Sequence, residues 1–341
     1  MESISDPIGL TVLTGFLGSG KSTLVRRLLQ RPELADTAVI VNEFGEVGID
    51  HALVAESKED VVLMSSGCLC CTVRGDLLKT LTQLHRRRRR GEVPPFRRIL
   101  IETTGLADPA PILQTLMSNP NVVDRYPLQA VITAVDAVNG WSTLDEHDEA
   151  MKQAAVADTL ILTKTDIADA EGVGALTRRL KHLNPAAPIH VVVQGEINPA
   201  LVFRAGPYGA DGKIGQVKAW LGAEAYSDDD HGHDHDVNRH DAEIGSFCLS
   251  FEEPFDWERL ARWFELLTVY RGADLLRVKG LINVRGERGP VVIHAVQHIF
   301  HPPATLAAWP DDDRRSRVVF ITRNLSRERI ERTLAAVDAP G

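Results

Sequence analysis

Gly15-Phe16-Leu17-Gly18-Ser19-Gly20-Lys21-Ser22 fits G-x-x-x-x-G-K-[ST] and lies between an apolar run at 10–14 and a helical run at 22–30. These residue types suit phosphate. Glycines let backbone amides curl around an anion, and the N-terminus of the following helix adds partial positive charge. Lys21 would set a point charge on the β- and γ-phosphates of a nucleotide, and Ser22 would offer its hydroxyl to Mg²⁺. Gly15, Gly18, Ser19, Gly20, Lys21, Ser22 and Thr23 are therefore the expected nucleotide contacts. A glycine-rich turn with an accidental Lys-Ser is the bland alternative, and the strand-then-helix context weighs against it.

Two later segments narrow the chemistry. Glu102-Thr103-Thr104-Gly105 closes an apolar run. A carboxylate there can hold Mg²⁺ or its waters, and a glycine lets a backbone amide approach the γ-phosphate. Lys21, Glu102 and Gly105 are thus the expected hydrolytic groups. Thr163-Lys164-Thr165-Asp166 ends a further apolar run. Asp166 could accept two hydrogen bonds from the N1–H and N2–H₂ edge of guanine, which adenine cannot supply, while the Lys164 stem covers the purine face. Four residues of this kind also suit an ordinary helix-capping turn, but their place in the order favours guanine.

The third group is Cys68, Cys70 and Cys71, three thiols within four residues. Thiolates are soft ligands that suit Zn²⁺ and compete well for other late transition metals. Buried inert cysteines are the alternative, and the C-x-x-C spacing of a redox pair is absent. Three local thiolates leave a tetrahedral site incomplete, so a carboxylate, water or a partner must supply the rest. Such a site suits a metal that has to leave again.

The elements that must position these groups follow from composition and patterning. The chain has 341 residues, 38 Lys plus Arg against 47 Asp plus Glu, and a net charge of −9; it is 44% hydrophobic, 25% charged and 6% aromatic. That is the profile of a soluble globular protein of about two domains, and a poor one for general nucleic-acid or membrane binding. Four cysteines are too few and too clustered for a disulfide framework. The start of the chain has no basic region, and no stretch approaches 18 uninterrupted apolar residues, so a cytoplasmic location is expected.

Short apolar runs at 10–14, 38–41, 61–64, 98–102, 130–135, 159–162 and 189–193 alternate with helical stretches, among them 22–30 and 75–90. This predicts a doubly wound α/β domain with a mostly parallel sheet, binding ligands at the carboxyl ends of its strands. Eleven of the fifteen residues at 227–241 are Asp, His or Gly, and the segment is unable to form a core. Strands then recur at 246–251, 275–284, 291–300 and 317–322, with helices at 256–267 and 326–337, as in a smaller α+β domain. The division expected is 1–210, a flexible acidic His-rich linker at 211–244, and 245–341.

Taken together, residues 15–22, Asn42-Glu43-Phe44-Gly45-Glu46, Gly67-Cys68-Leu69-Cys70-Cys71, residues 102–109 and Thr163-Lys164-Thr165-Asp166 resemble the CobW-type P-loop GTPases, relatives of the urease and hydrogenase nickel-insertion GTPases. Leu276-Arg277-Val278-Lys279-Gly280 and Val296-Gln297-His298 extend the resemblance into the C-terminal part. It implies a metallochaperone in which GTP hydrolysis, with Mg²⁺, is coupled to delivery of a metal from the C-x-C-C site to a client metalloprotein. Zinc is the first expectation and Co²⁺ the alternative. Thr163 stands where Asn is commoner in GTPases, and Val41 where some relatives carry an acidic residue.

In the loop after the second strand, where GTPases keep a nucleotide-sensitive switch, Glu46 is the expected further metal ligand and Asp50 a residue on the Mg²⁺ side. Arg74 is the candidate for charge stabilisation in hydrolysis. His231, His233, His235 and His240, interleaved with aspartates, can bind divalent metals weakly and exchange them fast. A solvated acidic linker is the plain alternative. His85 with the arginines at 86–90 reads as a solvated helix end, since no aromatics interleave it. His294, His298 and His301 read as strand and loop residues, and Cys248 as core. A metal buffer with a regulatory nucleotide site is the rival function, and a small-molecule kinase the third. Neither a nucleic acid nor a membrane is an expected partner; homo-oligomers are compatible with the sequence.

Overall fold

The computed structural model describes residues 7–42, 61–63, 69–73, 77–203, 221–222, 226 and 244–338. The chain divides into two compact units, one of Met1–Arg178 with Pro188–Ala210, the other of Arg179–Ala187 with Asp211–Gly341.

The strands of the first unit are β1 (Gly9–Thr14), β2 (Thr37–Asn42), β3 (Val61–Leu63), β4 (Leu69–Val73), β5 (Arg98–Glu102), β6 (Leu128–Asp136), β7 (Thr159–Thr163) and β8 (Ile189–Val192). They form one sheet in the order β3-β4-β2-β5-β1-β6-β7-β8. Every neighbouring pair is parallel except β3 with β4. The described helices are α1 (Lys21–Leu29), α2 (Leu77–Arg89), α3 (Ala110–Ser118), α4 (Pro120–Val123), α5 (Gly140–Glu146), α6 (Asp148–Ala155), α7 (Ala170–Leu183, which passes into the second unit at Arg179) and α8 (Pro199–Val202). The central strands are buried on both faces, as the uninterrupted apolar runs require. Helix α1 buries Leu24, Val25, Leu28 and Leu29 against Leu13, Val39, Leu100 and Ile132. Helix α2 buries Leu77, Leu81 and Leu84, and its last turn is the basic run Arg86 to Arg89.

Strand β4 was not foreseen. Residues 66–71 read as a thiol cluster with no element assigned, yet Cys70 and Cys71 lie within a parallel strand paired with Val39 and Ile40 of β2. Residues Cys-Cys-Thr-Val have ordinary strand propensity, and five residues are enough for a strand between β2 and β3.

The second unit has an antiparallel sheet in the order β12-β11-β10-β14-β9, with β13 beside β11. These strands are β9 (Ile244–Phe251), β10 (Leu275–Ile282), β11 (Val291–Val296), β12 (Ile299–Phe300), β13 (Ala304–Thr305) and β14 (Ser316–Arg323). The run at 291–300 is two strands rather than one. Gln297 takes φ +52° and turns the chain back so that His301 N–H donates to the His294 carbonyl at 2.8 Å. Helices α9 (Trp257–Arg271) and α10 (Arg327–Asp338) join a core made with Val278, Ile293, Val318 and Phe320. Cys248 is only partly buried, not core, although its surroundings push the thiol up to about 11 through burial. Among the described residues no helix is long and apolar enough to cross a membrane.

Candidate functional site

The turn from β1 into α1 is built by glycines where backbone geometry demands them. Gly18 and Gly20 have φ +73° and +89°, the left-handed region that side chains disfavour. At Gly15 a Cβ would sit 2.3 Å from the Ala134 carbonyl oxygen, so β6 leaves no room for one. Gly20 stands at the N-cap of α1 and offers no side-chain acceptor, and the first turn holds no acidic residue. The leading amides of α1 are thus left for an external anion.

Lys21 is buried, and its Nζ donates to the carbonyls of Gly15 (2.6 Å) and Phe16 (3.0 Å). Burial pulls its ammonium down to about 8, against the raising influence of Glu102. Ser22 Oγ donates to Glu102 Oε1 at 2.9 Å. A hydroxyl and a buried carboxylate side by side, next to the phosphate loop, form the hard oxygen set that suits Mg²⁺, which takes few protein ligands and keeps its waters. Thr23 is exposed on α1.

The segment after β5 lies against this loop. A Cβ on Gly105 would stand 2.6 Å from the Leu17 amide nitrogen, so only glycine permits the approach. Thr103 N–H donates to Leu13 O (3.0 Å) and its hydroxyl to Thr14 Oγ1 (2.8 Å), joining β5 to β1 just below the loop.

On the far side, Thr163 Oγ1 donates to Ser19 O (2.8 Å) and approaches Val135 O at 3.2 Å. The threonine that stands in place of the commoner Asn therefore ties β7 to the phosphate loop. Lys164 has φ +59° and holds Asp136 through Nζ–Oδ2 at 2.6 Å. Asp136 also accepts from Val138 N–H (2.8 Å) and Asn139 Nδ2 (3.2 Å). Burial alone would raise its pKa, but these donors hold it below the ordinary carboxylate value. Asp166 lies exposed beside them. Asp136 was not anticipated, because the strand was read as ending at 135; a carboxylate closing an apolar run, as at Glu102, was the available signal. Asp136→Asn should free Lys164 and weaken GTP binding about five- to tenfold, roughly the value of one charge-assisted hydrogen bond. Displacement of a fluorescent guanine nucleotide would measure this, and unchanged affinity would remove Asp136 from the site.

Of the expected metal ligands, the backbones of Cys70 and Cys71 are described. Cys71 pairs with Ile40, and the next residue of β2, Val41, pairs with Glu102. The thiol-bearing strand and the Glu102 strand flank β2, about 10 Å apart across two strand spacings. Cys68, Glu46, Asp50, Arg74, His231, His233, His235 and His240 lie outside the described residues. Among the described residues no cluster of three or more His, Cys, Asp or Glu could hold a metal ion.

Residues 9–191 match the family described as CobW/HypB/UreG, nucleotide-binding domain, and residues 244–338 match the cobalamin synthesis protein cobW C-terminal domain. The chain is 32% identical to the zinc chaperone YjiA of Escherichia coli (strain K12) over 333 residues, 97% of this chain and 99% of that one. It is 30% identical to the zinc chaperone CobW of Sinorhizobium sp over 318 residues, 85% of each. The crystal structure of Zn(II)-bound YjiA GTPase from E. coli superposes with a TM-score of 0.76, at 32% identity, over 97% of this chain and 99% of that chain.

Proposed function

The chain belongs to the CobW/HypB/UreG family and carries the cobW C-terminal domain, and on that premise we propose that this GTPase is a metallochaperone delivering zinc to a client apoprotein. Similar proteins named as zinc chaperones, and a Zn(II)-bound structure of one of them, support the metal. The observation that carries the coupling is the register of the sheet. Strand β4, with Cys70 and Cys71, is separated only by β2 from the strand whose end holds Glu102 against Ser22. Glu46 and Asp50 follow β2 directly in sequence.

In this reading Mg²⁺ and GTP are held by residues 15–23 with Glu102, and guanine by Lys164 and Asp166. The thiolates of Cys68, Cys70 and Cys71, with Glu46, take the metal while GTP is bound. Asp50 stands on the Mg²⁺ side. Hydrolysis, with Gly105 sensing loss of the γ-phosphate, lowers the affinity for metal. His231, His233 and His235, in the linker at 211–244, capture metal and pass it to the thiolates, and the domain at 245–341 contributes to docking the client. Differential affinity between nucleotide states is the physical requirement, since a nucleotide without it drives no transfer.

Titration of Zn²⁺ and Co²⁺ against a competing chelator, with Mg²⁺-GDP and then a non-hydrolysable GTP analogue, tests this. Zn²⁺ should bind at least about tenfold more tightly with the analogue, roughly 1.4 kcal/mol of coupling, and Cys70→Ser should abolish the difference. Equal affinity in both states would leave a metal buffer with an uncoupled nucleotide site.

A further inference from the structure

Two consecutive side chains of α6 grip the segment after β5. Gln153 is fully buried, and its Nε2 donates to the carbonyls of Gly105 (3.3 Å) and Ala107 (3.0 Å). Lys152 Nζ meets Asp108 Oδ2 at 2.6 Å, while the other Asp108 oxygen accepts from Ala110 N–H at 2.9 Å. Helix α6 is in turn fixed to the sheet, because Thr133 Oγ1 of β6 donates to the Gln153 carbonyl at 2.6 Å.

A second set of facts turns Gln153 toward the phosphate loop. Its Oε1 and the Ser19 Oγ are buried and have no hydrogen-bond partner among the described residues. Both residues line the same small pocket of about 20 Å³, together with Phe16, Leu17 and Ala134. That volume admits about one water, and a buried water needs two or more polar partners of this kind. Gln153 therefore has an amide nitrogen on the segment that senses nucleotide and an oxygen on the wall shared with the loop that holds it.

We propose that Gln153 is a positioning residue for GTP hydrolysis: it clamps Gly105 and Ala107 so that the Gly105 amide meets the γ-phosphate, and it thereby sets the preference for GTP over GDP. Gln153 touches neither nucleotide nor metal ion and acts through the backbone of residues 105–107. GDP has no γ-phosphate to engage Gly105, so its affinity should be indifferent to the clamp. The inference rests on the GTPase reading for its catalytic part, while the affinity ratio tests it without turnover.

The test uses the full chain and two variants, Gln153→Met, which keeps the volume and removes the donor, and Gln153→Glu, which sets a carboxylate against the two carbonyls. Affinities for fluorescent GDP and for a fluorescent non-hydrolysable GTP analogue are measured alongside kcat, KM and thermal unfolding. In a folded variant the analogue should lose about tenfold in affinity and kcat should drop by a similar factor, with GDP binding unchanged within twofold. Lys152→Met, removing a partly exposed pair, should cost less than threefold. Equal losses for both nucleotides, no change in either, or a wild-type chain that binds the two alike would overturn the assignment. A wild type with a clear GTP preference but no turnover would sink the GTPase reading and leave Gln153 to be judged on the ratio.

Discussion

Lys21→Ala is expected to lower GTP turnover at saturating nucleotide by on the order of 100- to 1,000-fold, the usual cost of removing one preorganised charge from a developing transition state. Lys21 Nζ touches the loop's own carbonyls at Gly15 and Phe16, so its charge is held within the loop proposed to take the phosphates. Burial lowers its pKa to about 8 from the ordinary 10.5, a shift equivalent to about 3 kcal/mol. A bound triphosphate replaces the lost water with anionic oxygens and recovers that cost.

The pH dependence follows with a definite sign. Phosphate binding raises the Lys21 pKa, so nucleotide binding takes up a proton above pH 8. Affinity should be level below about pH 8 and fall by up to about tenfold per unit above it. Protein stability should move oppositely. The unfolded chain keeps this lysine protonated up to about 10.5, so between pH 8 and 10.5 it binds more protons than the folded chain, and Lys21 adds stability as pH rises. Steady-state turnover of wild type and Lys21→Ala at saturating GTP would check the loss, and binding isotherms of both from about pH 7 to 10 the pH profile. A variant within tenfold of wild-type turnover would mean that this lysine is not on the phosphates.

Trp263→Ala should destabilise the second unit by about 3–5 kcal/mol, the range for emptying a buried indole. Trp263 has no solvent exposure and stands among Phe251, Phe255, Phe264 and Phe320, with ring centroids 5.0 to 6.1 Å away. Its Nε1 donates to Thr333 Oγ1 at 3.0 Å, joining α9 to α10. These contacts couple both helices to β14, so the loss falls on the whole unit. Urea unfolding of the full chain would show the transition of the second unit moving to lower denaturant, with GDP affinity of the first unit kept. Trp263→Phe should cost less than half as much. A loss below 1 kcal/mol for the alanine variant would mean that the aromatic cluster is not the core of this unit.

How much of this was legible in the sequence depends on what each residue answers to. The strands from β1 to β8 that are buried on both faces announce themselves as short apolar runs, and the phosphate loop announces itself because local geometry requires its glycines while phosphate and Mg²⁺ chemistry call for lysine and serine. The four helices expected at 22–30, 75–90, 256–267 and 326–337 begin and end within four residues of those bounds. Strand β4 escaped because the spacing of its cysteines reads as a ligand set before it reads as a strand. Asp136 and Gln153 escaped because their roles come from distant partners, Lys164 in one case and Gly105 with Ala107 in the other. Nothing in a single sequence pairs residues 153 and 105. The hairpin between β11 and β12 escaped because its turn uses Gln297 in a left-handed conformation, where glycine or asparagine would have been the signal.

The position of β1 at the centre of its sheet has a consequence for how the chain is made. Leu10 pairs with Ile99 on one side and Leu128 on the other. At a synthesis rate of about 5–20 residues per second, an apolar strand made near the start waits on the order of ten seconds for both neighbours. Pairings so far apart along the chain also fold slowly once available. Gly15 of the phosphate loop lies close against Ala134 of β6, so the loop gains this packing only after β6 has been made. During that interval the stretch from Leu10 to Thr14 is an apolar segment of the nascent chain without its strand partners. Pulse-labelled hydrogen exchange should find its amides among the late ones to gain protection.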